Sequence, residues 1–223
     1  MWSPYITDLV ALAKEKPSGK EKNDHENIVV EVLGILGNLT SLDFGDKSWS
    51  SLITKMDLMQ YFNTLLIAGL SRDDIVLQVI MILSGISSDA AAAPLIMSMN
   101  SKILSTLQEL LRNKTDDIEI TLQVLFCLLK MLQQPTLLDE LLYGTGILPD
   151  VLQYAGHANM EIRQVCECIM HIVLDHDLSD GSMGEFGRQV RKCRFQLHNK
   201  EYVVALGDDL VESSLEGSFD CKE

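Results

Sequence analysis

The most uniform hydrophobic run in the chain is Asp73–Asp89, where eight of the nine residues from Ile75 to Leu83 are apolar and Gln78 is the exception. A helix apolar on all sides must be covered on all sides. The run is too short for a bilayer, which takes about 20 apolar residues. The same pattern recurs at Asn27–Leu42, Glu119–Leu132 and Glu161–Leu174. Aligned, Ile28, Ile75, Ile120 and Ile162 coincide. At offsets 4, 8 and 11 follow Val32, Val79, Val124 and Cys166, then Leu36, Leu83, Leu128 and Met170, then Leu39, Ile86, Met131 and Val173. Those offsets trace one face of an α-helix. Successive copies lie 47, 45 and 42 residues apart, the period of armadillo and HEAT repeats. The expected fold is all-α, a right-handed armadillo/HEAT-like superhelical solenoid of about four repeats over residues 1–178, with inner helices at about 27–42, 73–89, 119–132 and 161–174.

Shorter helical patterns fill the intervals: Trp2–Lys14, Trp49–Lys55, Leu58–Ile67, Ala90–Met97, Lys102–Arg112, Leu137–Tyr143 and Ile147–Ala155. The first stands where the second helix of a repeat belongs, so the expectation is either a fragment of a longer chain with upstream repeats or a shortened relative. Glu15–Glu26 is nearly all charged or turn-forming and is expected to be a mobile loop. Ser71 and Asp74 have the spacing of a capping box before the central helix, and Asp24, Asp116 and Asn159 hold the comparable place before the other three. Pro135 closes the third inner helix. The loop Ser179–Gly187 leads to a C-terminal capping helix over residues 188–206, with Val190, Phe195, Leu197 and Tyr202 expected to cover the last repeat. Residues 207–223, acidic and without periodicity, are expected to be disordered.

Charge narrows the choice of partner. Eighteen basic against 32 acidic residues give a net charge of −14, repulsive toward nucleic acid and anionic membranes. Protein partners are expected, with no nucleic acid and no membrane insertion. The five cysteines are an odd number, three of them in the inner helices, and no signal-peptide pattern opens the chain. A reducing, non-secreted setting is the expectation, which makes the sequons at Asn38 and Asn113 accidental.

Candidate chemistry is thin. Cys166-x-Cys168 with His171 and His176 suggests zinc, but residues two apart on a helix diverge while tetrahedral zinc needs convergent ligands. Core cysteines and surface histidines are expected. No glycine elbow or phosphate-binding loop accompanies them, so no enzyme, cofactor or metal is expected. Met81, Met131 and Met170 fall in the apolar pattern and are assigned to the core. Stacked repeats usually bind partners along their inner groove. The tryptophan and asparagine ladder that importin-type repeats use is missing: Asn38 aligns with Gly85, Lys130 and Ile172, and four residues earlier stand Gly34, Met81, Phe126 and Cys168. Asn38 and Lys130 are the groove candidates. Arg188, Arg191, Lys192, Arg194 and Lys200 are the only basic concentration in an acidic molecule, on a helix that either caps the last repeat or docks an acidic partner segment.

Five stretches carry a more specific likeness: VVEVLGILGNLT (Val29–Thr40), DDIVLQVIMILSGISSDAAAAPLI (Asp73–Ile96), DD-x-E-I-x-x-Q (Asp116–Gln123), NMEIRQVC (Asn159–Cys166) and the F-x-x-H-N ending of Phe195, His198 and Asn199. With these the chain resembles, over roughly residues 1–205, the C-terminal armadillo part of kinesin-associated protein, the non-motor accessory subunit of heterotrimeric kinesin-II. It departs from that pattern in the insert near Lys16–Glu26, in lacking the long N-terminal region, and in its short acidic tail. The resemblance implies a non-catalytic adaptor that links kinesin-II motor tails to cargo adaptors in microtubule-based transport, intraflagellar transport included. The expected location is cytoplasmic and microtubule-associated, extending to cilia and flagella. Partner-binding candidates are Asn38, Lys130, Arg188, Arg191, Lys192, Arg194, Phe195, His198 and Asn199. The alternative expectation is an armadillo scaffold of another complex, with a peptide-binding groove.

Overall fold

A computed structural model describes residues 4–15, 22–40, 49–67, 71–98, 102–179 and 184–199. Within them the secondary structure is helical and no strand occurs. The elements are α1 (Pro4–Lys14), α2 (Lys22–Thr40), α3 (Trp49–Met56), α4 (Leu58–Leu66), α5 (Asp73–Ile86), α6 (Ala93–Met97), α7 (Ile103–Asn113), α8 (Ile118–Leu132), α9 (Pro135–Thr145), α10 (Ile147–Leu152), α11 (Met160–Ser179) and α12 (Glu185–His198).

The four predicted inner helices lie side by side in chain order, α2 on α5, α5 on α8 and α8 on α11, with α12 against α11. A second row runs α4, α7, α10 and again reaches α12. α5 explains the order. Ile75, Val76, Val79, Ile80, Ile82, Leu83 and Ile86 are all buried, so its apolar surface extends around most of its circumference. Only neighbours on both flanks and one behind, here α2, α8 and α4, can cover that much. Each such side chain contributes roughly 1.5–3 kcal/mol of transfer free energy.

Polar ties repeat the same logic at a distance of one period. Lys114 Nζ reaches Asp73 at 2.9 Å and Arg112 forks onto Asp150 at 2.7 Å. Thr106 Oγ1 donates to Asn63 Oδ1, the Trp49 N–H donates to Asp89, and the Tyr154 hydroxyl donates to the Leu111 carbonyl. All join residues 38 to 43 positions apart. At the N-terminal end Lys14 Nζ donates to the Met56 carbonyl at 2.6 Å and Tyr61 to that of Ala13 at 2.8 Å, locking α1 onto the next unit.

Several expectations need correction. The loop expected at Glu15–Glu26 is shorter, because α2 already begins at Lys22; residues 16–21 lie outside the described residues. Asp24 therefore sits in the first turn of α2. Its carboxylate there still favours the positive end of the helix dipole. Ile28 is 37% exposed and Val29 is buried in its place, since α2 has an inner helix on one flank only. The capping box is not formed. Arg72 holds the cap position of α5 without a side-chain cap bond, and Asp74 pairs instead with Arg72 and with the N–H of Ile75. At α8 the cap is Asp117, not Asp116, accepting from the Ile120 N–H at 3.0 Å. Asn159 caps α11 as expected, accepting from Glu161 and Ile162. α5 ends at Ile86 rather than Asp89, and α11 runs on to Ser179. α12 begins at Glu185, before the expected Arg188, and runs to His198; residues 200–206 of the expected helix lie outside the described residues. Val190 is buried, whereas Phe195 and Leu197 are exposed, so the cap seats on its N-terminal half. Tyr202, Lys200 and the 207–223 tail lie outside the described residues.

One contact marks how tightly the inner helices approach. A Cβ built on Gly85 of α5 meets the Thr40 side chain of α2 at 2.2 Å, whereas one on Gly34 meets nothing within 4 Å. Replacing an unhindered helical glycine by alanine stabilises by roughly 0.5–1 kcal/mol, while overpacking costs about 1–3 kcal/mol. Gly34→Ala is therefore expected to raise the urea midpoint and Gly85→Ala to lower it; equal shifts of the same sign would show that α2 and α5 do not meet at Gly85.

Candidate interaction groove and C-terminal basic helix

Three sides of α5 are covered, and the fourth is open. Gln78, Met81 and Gly85 advance along α5 by three and four residues, which keeps them on one stripe, and Ser88 follows in the turn just past the helix end. The equivalent stripes are Gly34 and Asn38 on α2, and Gln123, Phe126 and Lys130 on α8. Together they line a groove of about 490 Å³. The structure thus brings together the two predicted groove residues, Asn38 of α2 and Lys130 of α8, from helices that both pack on α5.

The groove combines apolar and polar surface. Met81 is 43% exposed and Phe126 38% exposed, which corrects the assignment of Met81 to the core; Met131 and Met170 are buried. Lys130 Nζ lies 5.3 Å from the centroid of the Phe126 ring, a cation–π distance. It is the one charged residue in the lining. The glycines at 34, 37 and 85 keep the floor low. Sequence reasoning passed over Gln78 and Gln123. The available signal was that Gln78 alone interrupts the apolar run Ile75–Leu83 and that Gln123 recurs one repeat later at the same position.

The basic helix is less uniform than its composition implies. Arg188 and Lys192 are exposed, while Arg191 and Arg194 are half-buried. Arg194 pairs with Glu167 of α11, which His171 also approaches at 3.4 Å. Its charge is therefore largely neutralised within the fold. Nη1 of Arg191 and Nε of Arg194 are enclosed without a hydrogen-bond partner. Phe195 is 61% exposed, and His198 is exposed beside it. Asn199 donates to the Phe195 carbonyl at 2.8 Å, closing the C-terminus of α12. Arg194 and His198 border a second cleft of about 450 Å³ between α12 and the start of α11, shared with Met160, Arg163 and Leu197.

The thiols and histidines are dispersed. Cys166 is buried with its Sγ 3.7 Å from the Val151 carbonyl, while Cys168 is exposed, contrary to its expected place in the core. His176 pairs with Asp139 at 2.9 Å. Burial pushes the Cys127 and Cys166 thiols up to about 12, and Cys193 in the same direction. Burial likewise takes the Tyr61 hydroxyl to about 12.

The sequence model of a family described as kinesin-associated protein (KAP) matches residues 2–218. Among solved structures, the crystal structure of an engineered protein from the Northeast Structural Genomics Consortium superposes with a TM-score of 0.61 at 15% identity, covering 98% of this chain and 91% of that one. At that identity the likeness concerns the fold alone. It supports a helical-repeat architecture.

Unfolded thiols lose their protons near pH 9, and the buried ones near pH 12. Stability is thus expected to be insensitive to these groups below pH 8 and to fall between pH 9 and 12, each thiol contributing at most about 1.4 kcal/mol per pH unit. Urea titrations across that range check it. In Cys127→Ser with Cys166→Ser the remaining slope should be shallower; an unchanged slope contradicts the burial.

Proposed function

The chain belongs to the kinesin-associated protein family, and from that premise we propose that it is a non-catalytic adaptor joining kinesin-II motor tails to cargo adaptors in microtubule-based transport, intraflagellar transport in cilia included. The observation that carries the proposal is the family match across nearly the whole chain. The stacked inner helices support an armadillo-type right-handed superhelix of about four repeats, with α12 as its cap. Such a stack offers a continuous surface to elongated partners.

The non-catalytic part of the proposal draws support from the chemistry of the side chains present. The two most buried thiols are held protonated far above neutrality, and a thiol must ionise to be a nucleophile. His176 is engaged by Asp139, and His171 lies at an exposed helix surface. The same family membership supports cytoplasmic, microtubule-associated placement, and the proposal extends it to cilia and flagella.

Within this proposal the exposed cations of α12 receive acidic stretches of the tails. Rim charges act mainly on association rate and salt dependence. The test is capture of the two purified motor tails by the folded chain. Arg188→Glu with Lys192→Glu is expected to weaken capture about tenfold at 0.1 M salt, and less at higher salt. Absence of capture by the unaltered chain contradicts the adaptor proposal, whereas capture insensitive to the reversal contradicts only the role of α12.

A further inference from the structure

The groove between α2, α5 and α8 carries more information than an adaptor role requires. Its longer lining side chains are Asn38, Gln78, Met81, Gln123, Phe126 and Lys130. The amides of Asn38, Gln78 and Gln123 make no hydrogen bond within the described residues, and Lys130 makes no ion pair there. A side-chain amide offers both a donor and an acceptor. Three such amides converging on one open trough match a ligand that presents N–H and C=O groups alternately.

An extended polypeptide is such a ligand, because its main-chain groups are unpaired, whereas a helix satisfies its own. The spacing agrees. Gln78 and Gln123 occupy equivalent places on neighbouring helices, whose axes pack about 8–10 Å apart. An extended chain advances about 3.3 Å per residue, so the two amides meet main-chain groups about three residues apart. Met81 and Phe126, also equivalent and also exposed, lie one turn further along and form an apolar patch.

Charge fixes the remaining chemistry. The protein as a whole has a net charge of −14, yet the groove is lined by no carboxylate and by one lysine. Glu31 and Glu119, one turn toward the helix N-termini on the same stripes, are exposed. The trough is therefore negative along one rim and positive at Lys130. Stacking on Phe126 restricts where that ammonium group can point, so an incoming anion meets it at a defined position.

We propose that this groove binds an extended polypeptide segment that lays an apolar side chain against Met81 and Phe126 and an aspartate or glutamate on Lys130, its main chain held by Asn38, Gln78 and Gln123. The proposal rests on the adaptor reading and names the chemistry of one partner segment. It is distinct from the electrostatic docking assigned to α12.

The probe is a positional-scanning library of acetylated, amidated nonapeptides, tested against the full chain by competition for a fluorescent member. The unaltered chain is expected to select Asp or Glu at one position, with Leu, Met or Phe a few residues away. Lys130→Glu is expected to exchange the acidic preference for Lys or Arg at that same position. Gln78→Ala with Gln123→Ala is expected to weaken all bound sequences about 10- to 30-fold while leaving the preference intact. Lys130, Gln78 and Gln123 are each partly exposed, and unchanged thermal unfolding of each variant checks that it remains folded. No selection by the unaltered chain, or an acidic preference that survives Lys130→Glu, overturns the proposal. Motor-tail capture separates the two readings: loss of library selection with tail capture retained removes the groove alone, whereas selection without tail capture removes the motor assignment and leaves the groove.

Discussion

Everything in this molecule depends on the lateral packing of α5 between α2 and α8. Its side chains from Ile75 to Ile86 are buried nearly all round, which no pair of helices can achieve. A third helix behind and a neighbour on each flank are the minimum. The same demand falls on α8, with nine residues buried from Ile120 to Leu132. Two adjacent helices that each need two flanking partners force a row, and a row of packed helices extends in one direction. The polar ties linking residues about one period apart, such as Lys114 with Asp73, are its surface counterpart.

The open groove is a consequence of the same constraint. Once both flanks and the back of an inner helix are occupied, one stripe remains, and the row aligns these stripes into a trough. Side chains such as Met81 and Phe126 reach solvent there and so can serve partners. Glycine at positions 34, 37 and 85 lowers the floor, with Gly85 also required by the approach of Thr40. At the far end α12 packs on α11 and α10 with Val190 and Gly187 buried and leaves Arg188 and Lys192 exposed. The adaptor role thus draws on two surfaces of different character, one shaped by the stack and one by the cap.

Much of the fold was legible in the sequence because burial on several sides leaves a long apolar signature. The aligned positions of the inner helices are buried almost throughout, Ile162, Cys166, Met170 and Val173 among them. The errors arose where another force replaced that signature. Ile28 looked like its repeat equivalents but sits on α2, which among the described residues has an inner helix on one flank only. Met81 is apolar like its neighbours, and no periodicity distinguishes a methionine facing a groove from one in a core. Ser71 and Asp74 had capping spacing, yet Arg72 drew the Asp74 carboxylate away. At the candidate surfaces composition showed where cations cluster but not their partners. Glu167 lies 27 residues before Arg194, and only the fold reveals that the pair is formed. Gln78 was visible as an interruption of the apolar run, but a single glutamine does not point to a groove until its repeat equivalent Gln123 is placed beside it.

Native-state hydrogen exchange, read helix by helix, probes the row most directly. Helices flanked on both sides open only with their neighbours. The amides of α5 and α8 should therefore exchange most slowly and nearly in step, with faster exchange in α2 and in the short α6 and α10. Exchange in α5 that is as fast as in α6, or uncoupled from that in α8, would mean that the inner helices do not form one continuous core.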